Sequence, residues 1–166
     1  MNTVLRATLA LIAVALAGAA SAAPAPLTPA ERAAVSADVR AFMLKVASEV
    51  TQHGPTAWRA QFSQTPQFFM AVNGALAFAD SAAASRGIAA LPGIIQSIEL
   101  KWGDDLRIDP LTAQFAVVAS SYYEVQTHPD GTRTADRGYF TAVAERGAPG
   151  WTLRDAHWSS LTLPGH

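Results

Sequence analysis

Near the C-terminal end an aspartate and a histidine stand two apart, Asp155 and His157, in the run Trp151-Thr152-Leu153-Arg154-Asp155-Ala156-His157-Trp158-Ser159. An imidazole titrates near neutral pH, so it can take or give a proton or hydrogen-bond a ligand, and a neighbouring carboxyl can orient it or act as a second acid. In an extended strand residues two apart share a face, with Cα atoms about 7 Å apart. The pair could therefore meet one substrate without touching each other. A strict period of two puts Trp151, Leu153, Asp155, His157 and Ser159 on one face, expected to be concave, and Thr152, Arg154, Ala156, Trp158 and Ser160 on the other. Asp104, two residues beyond Trp102, is a third candidate acid, although Gly103-Asp104-Asp105 reads as a turn in which aspartate bonds its own backbone. A wall histidine and a solvated rim aspartate would account for the same residues, so these positions name candidates and not a reaction.

Composition closes most other routes. The chain has no Cys, which removes thiol nucleophiles, Cys-ligated zinc, disulfides and a lipidated N-terminal cysteine. Its four histidines, 53, 128, 157 and 166, form no spaced pair on one element, so neither a metal nor a cofactor is expected. There is no glycine-rich phosphate loop, nucleophile elbow or dinucleotide fingerprint. Lys and Arg number 12 against 13 Asp and Glu, without a basic run, which disfavours nucleic acid as a partner.

Aromatic and sulfur side chains are plentiful enough to line an apolar pocket: Trp58, Phe68, Phe69, Met70, Trp102, Phe115, Tyr122 and Tyr123. Neighbours in a strand point oppositely, so only one of Phe68 and Phe69, and one of Tyr122 and Tyr123, faces inward. Tyr123 is preferred because its face also carries Phe115, Val117, Ala119 and Val125. The expected ligand-binding set is Trp58, Phe69, Trp102, Tyr123 and His157.

The elements that must position these residues are legible in outline. Residues 1–22 read as a signal peptide: a charged start, the apolar stretch Ala7 to Ala17, and Ala20-Ser21-Ala22 as a small-x-small cleavage pattern, giving an expected periplasmic or secreted product with no membrane association after removal. A linker, 23–27, precedes one domain, 28–166. Thr28-Pro29-Ala30-Glu31 opens a helix by a capping box, and Val35, Val39, Phe42, Met43, Val46 and Val50 lay an apolar stripe along it up to Gly54-Pro55. A short helix follows over 55–62, then a hairpin turned at Asn73-Gly74 and an alanine-rich helix capped by Asp80 or Ser81. The rest reads as four strands: Ile95 to Ile108, interrupted at Gly103; Phe115 to Thr127; Thr132 to Arg146; Trp151 to Leu161.

This order, with Phe62-Ser63 before the first strand, Val72-Asn73-Gly74, Asp130-Gly131 in the central hairpin and Gly150-Trp151 leading into His157-Trp158-Ser159, resembles the SnoaL-like branch of the nuclear transport factor two-like superfamily over Leu27 to about Ser160. The resemblance implies an α+β cone, a strongly bent antiparallel sheet wrapped around about three N-terminal helices with a pocket at the wide end. It also implies that the closing-motif histidine, here His157, points into the cavity. Dimers through the sheet are frequent in that family, and Trp158, on the face away from the expected pocket, would anchor such a homodimer. Ketosteroid isomerase shares the fold and uses a helix tyrosine with carboxylates; here the first helix contains no Tyr and Gln67 to Ala79 no acid. Because the fold hosts both enzymes and binding modules, two functions stand side by side. One is an exported domain binding a small apolar or amphipathic ligand. The other is an acid/base enzyme of cyclase, dehydratase or isomerase type acting on a carbonyl-bearing molecule, with His157 as base and Asp155 or Asp104 as its acid.

Overall fold

The computed structural model describes residues 26–162; the expected signal peptide at 1–22 and most of the linker lie outside the described residues. Helix α1, Pro29–His53, begins with the expected capping box, in which the Thr28 N–H donates to Glu31 Oε2 at 2.8 Å and the Glu31 N–H donates to Thr28 Oγ1 at 3.3 Å. Val35, Val39, Met43, Val46 and Val50 are buried along one side, and each such side chain contributes about 1.5–3 kcal/mol by leaving water. A 3-10 turn, Pro55–Ala57, leads into the single helical turn α2, Trp58–Gln61.

Strands β1 (Phe69–Val72) and β2 (Ala75–Phe78) form the hairpin, with Asn73 and Gly74 both at positive φ, as a two-residue turn between right-twisted strands requires. Helix α3, Ser81–Ala90, is capped by the Asp80 carboxylate, which accepts from the Ala83 N–H at 2.7 Å. Gly87, a weak helix former, has its place here because the Phe78 ring lies where a Cβ would stand.

The remaining strands are β3 (Ser97–Trp102), β4 (Arg107–Pro110), β5 (Phe115–Thr127), β6 (Arg133–Gly147) and β7 (Gly150–Thr162). They form a seven-stranded, strongly curled sheet of order β2-β1-β7-β6-β5-β3, with β4 also on β5. The expected α+β cone is therefore present, with one feature that hairpin counting does not reveal: β1 pairs with β7 in parallel, which folds the first hairpin back against the last strand and makes the sheet mixed. The interruption at Gly103-Asp104-Asp105 splits the expected strand into β3 and β4, and Asp105 fastens the break by accepting from the Ser121 N–H at 2.9 Å and hydroxyl at 2.7 Å.

Helix α1 fills one half of the cone. Arg32 and Arg40 donate to the carbonyls of Pro110 and Leu106 at 2.8 and 2.9 Å, and the Trp102 indole N–H donates to the Met43 carbonyl at 2.7 Å. The hollow lies elsewhere, under α2 and α3.

Candidate functional site

Which side chains reach the hollow is decided by one irregularity. Between Val143 and Ala144 of β6 the pairing to β7 shifts, so that Val143 faces Asp155 while Ala144 faces Leu153, leaving Arg154 as the extra residue of a bulge. Ahead of the bulge Leu153 points inward; beyond it the parity reverses, and Ala156 and Trp158 are buried while His157 is exposed. The expectation of a cavity-facing His157 is thereby overturned: its imidazole lies on the outer face. Asp155 is half-buried beside the bulge, where its carboxylate accepts from the Val143 N–H at 3.0 Å. Burial pushes its pKa up, against the Val143 hydrogen bond and the Arg154 charge. Asp104 is exposed in its turn. The three sequence candidates for acid/base chemistry do not come together.

The ligand-binding set divides as well. Trp58 lines the cavity. Trp102 stands behind the wall, its ring 5.0 Å from Phe140 and 5.8 Å from Trp158. Phe69 is 45% exposed, because in the four-residue strand β1 the inward parity belongs to Met70 and Val72, with Phe68 buried ahead of them. Tyr123 is 41% exposed, and Tyr122 is inside. Counting apolar residues chose the wrong face of β5, since the inner face carries the small residues Ala116, Val118 and Ser120 under α1 and then the polar Glu124 and Gln126. Trp158, expected outside as a dimer anchor, is a hub of the interior, with Tyr122 at 4.7 Å, Phe140 at 4.6 Å and Trp58 at 5.6 Å between ring centroids.

The cavity, about 210 Å³, has two unlike walls. One is hydrocarbon and aromatic, from Trp58, Phe62, Met70, Phe78, Ile88 and Leu91. The other is polar and comes from three adjacent strands in register. Tyr122 of β5 lies opposite Gly138 of β6, which lies opposite Ser160 of β7; Glu124 lies opposite Asp136. Gly138 has no room for a side chain, since a Cβ there would meet the Ser159 carbonyl oxygen. The Ser160 hydroxyl is held by Asn73, whose amide N–H donates to it at 2.9 Å.

Glu124 is only 9% exposed. Burial holds its carboxyl above the usual glutamate range; the Gln126 amide, donating at 2.5 Å, opposes this, and the charge of Asp136 reinforces it. Burial likewise pushes the Tyr122 phenol up, against the Ser160 hydroxyl and with the help of Glu124 and Asp136. One carboxylate oxygen of Asp136, Oδ1, is buried without a hydrogen-bond partner. Among the described residues no Arg, Lys or His lines the cavity, and no three His, Asp or Glu side chains gather as a metal site. A tyrosine and two carboxyls thus do face a pocket in this chain, supplied by β5 and β6 and not by α1 or the first hairpin. Glu124, the one charged residue of β5, in phase with Ala116, Val118 and Tyr122, was the available sequence signal.

No protein-family model and no curated protein matches the chain. Solved structures do. A nuclear transport factor 2-like superfamily protein from Salmonella enterica serovar Typhimurium LT2 superposes with a TM-score of 0.66 at 14% identity, over 80% of this chain and 95% of that one. A scytalone dehydratase-like protein from Novosphingobium aromaticivorans DSM 12444 gives 0.70 at 10% identity, over 84% and 93%. A type 2 hexachlorocyclohexane dehydrochlorinase gives 0.62 at 11%, over 84% and 95%. At such identities the likeness is one of fold.

Proposed function

From a chain with the nuclear transport factor 2-like fold and a cone hollowed under α2 and α3, we propose a domain that binds a compact small molecule with an apolar body and one polar group. The observation that carries this is the division of the cavity into a hydrocarbon wall and a Tyr122–Glu124–Asp136–Ser160 wall. Ligand sites are typically apolar with a few convergent polar groups, and a volume near 210 Å³ suits a one-ring molecule better than a drug-sized one. Ethylbenzene, titrated while the tryptophan fluorescence to which Trp58 and Trp158 of the cavity wall contribute is followed, is expected to produce a saturable change. Val72→Trp, which fills the hollow, should abolish it, and His157→Ala on the outer face should leave it intact. No saturable change in the native protein with ethylbenzene or with any of its polar analogues of the same size would dismiss the cavity as a binding site.

A second reading, acid/base chemistry at a carbonyl, is favoured by Glu124 beside Tyr122: burial favours the protonated form of the Glu124 carboxyl, the form that donates a hydrogen bond, and the Asp136 carboxylate stands opposite it across β5 and β6 as the candidate base. That reading predicts faster exchange of the α-protons of acetophenone for deuterium in the presence of the protein than in buffer, by about a hundredfold. Asp136→Asn should remove the acceleration. Exchange at the buffer rate would leave binding alone.

Export belongs to the proposal and rests on the leader-like residues 1–22. Expressed with its full N-terminus in a Gram-negative host, the protein should be recovered from the periplasm beginning at Ala23; a product starting at Met1 would count against export.

A further inference from the structure

Two carboxyl groups stand directly across β5 and β6 from each other, and nothing cationic among the described residues answers them from any wall. The groups facing the pair are Gln126 on β5, which satisfies one oxygen of Glu124; the Tyr122 phenol; and the Ser160 hydroxyl on β7, already held by Asn73. From α2 and α3 the facing side chains are apolar. Arg59 of α2 is turned to Gln64, and Arg86 of α3 is exposed. Asp136 Oδ1 is buried and unpartnered on the cavity wall. Asp136 is half-buried, and its Oδ1, out of water without a hydrogen bond or counter-charge, is costly to leave so; the cavity is otherwise lined by Trp58, Trp158 and hydrocarbon, the surroundings that suit a cation carried on an apolar body.

We propose that the cavity selects an organic cation, a compact amine whose ammonium group sits between Glu124 and Asp136 while its apolar part lies against Trp58, Trp158 and Met70. This rests on the binding role proposed above and adds the sign of the charge. The ammonium supplies donors for both carboxylates, including the unpartnered oxygen of Asp136, and neutralises the pair. The same wall repels an anion and offers a neutral molecule no charge-assisted contact.

The test uses probes of one shape: phenethylamine, 2-phenylethanol, phenylacetate and ethylbenzene, with acetophenone as the ketone, titrated calorimetrically into the whole protein at pH 7. Phenethylamine should bind at least about tenfold more tightly than 2-phenylethanol, as charge-assisted contacts do relative to neutral ones, and phenylacetate should bind most weakly. The amine's advantage should shrink in Glu124→Gln and in Asp136→Asn and vanish when the two are combined, while ethylbenzene binds all variants alike and so reports that fold and cavity are intact. Equal binding of amine and alcohol, or tighter binding of acetophenone, overturns the cation proposal and leaves the cavity's binding role standing. Failure of all five probes to bind overturns both.

Discussion

Replacing Trp158 by alanine is expected to destabilise the protein by about 3–5 kcal/mol, the range for removing a large buried aromatic, and to lower Tm by roughly 10 °C or more. The indole is held edge-on to Tyr122 and Trp58, stacks on Trp102 at 5.8 Å and 25°, and rests against Phe140 at 4.6 Å. Those partners come from α2, β3, β5 and β6, so one side chain of β7 joins the helical layer to the curled sheet. Its loss leaves a void among those four rings at the edge of the cavity that Trp158 lines. Trp158→Phe should recover part of the loss, since aromatic contacts worth about 0.5–1.5 kcal/mol beyond burial survive in it. Thermal and urea unfolding of the three proteins measures this. A change below about 1 kcal/mol for Trp158→Ala, the size of an ordinary substitution, would mean that the hub is not packed as described.

The second large effect is a dependence of stability on pH that originates at Glu124. Its pKa in the fold is raised above the ordinary value of 4.5, chiefly by burial. A raised carboxyl contributes its stability fully below the ordinary value, where it is protonated in both states, and loses it as pH climbs through the higher value of the folded state. The native protein should therefore weaken from mildly acidic toward alkaline pH, as the buried group is forced to ionise next to Asp136. Glu124→Gln keeps the shape and a hydrogen-bonding amide but cannot ionise. It should match the native protein near pH 4 and exceed it at pH 8 by about 1–3 kcal/mol, the scale of an uncompensated buried polar group. Chemical unfolding across that range measures the gap, and parallel curves would show that the carboxyl is not desolvated in solution. The amine probe should narrow the same gap at pH 8, because a bound cation relieves the native carboxylate and has less to relieve in the glutamine variant.

The first effect rests on a residue that a reading of the chain placed on the outer face and the second on one that it did not single out, and the reason is physical. Signals carried by one segment were readable in the sequence: the Thr28–Glu31 box and valine stripe of α1, the Asn73-Gly74 turn, the Asp80 cap and the long C-terminal hairpins. Each depends on dihedral preferences and hydrophobic period within a dozen residues, and their order carried the family resemblance that implied a cone. Face assignment was not local. On β7 a bulge one residue long, opposite Val143 and Ala144, exchanged the inward parity and carried Trp158 in and His157 out. On β5 the inner face was the more polar one, so that apolarity pointed away from the cavity and chose Tyr123 over Tyr122. In a strand a shift of one residue inverts every side chain beyond it, and nothing in a single strand's residues records where its partner slips. The sequence by itself determined the elements, their order and the supply of aromatic and acidic groups. Only the tertiary structure decided which of them face one another, because the register between β5, β6 and β7, and the parallel contact of β1 with β7, are set by the packing of segments far apart in the chain.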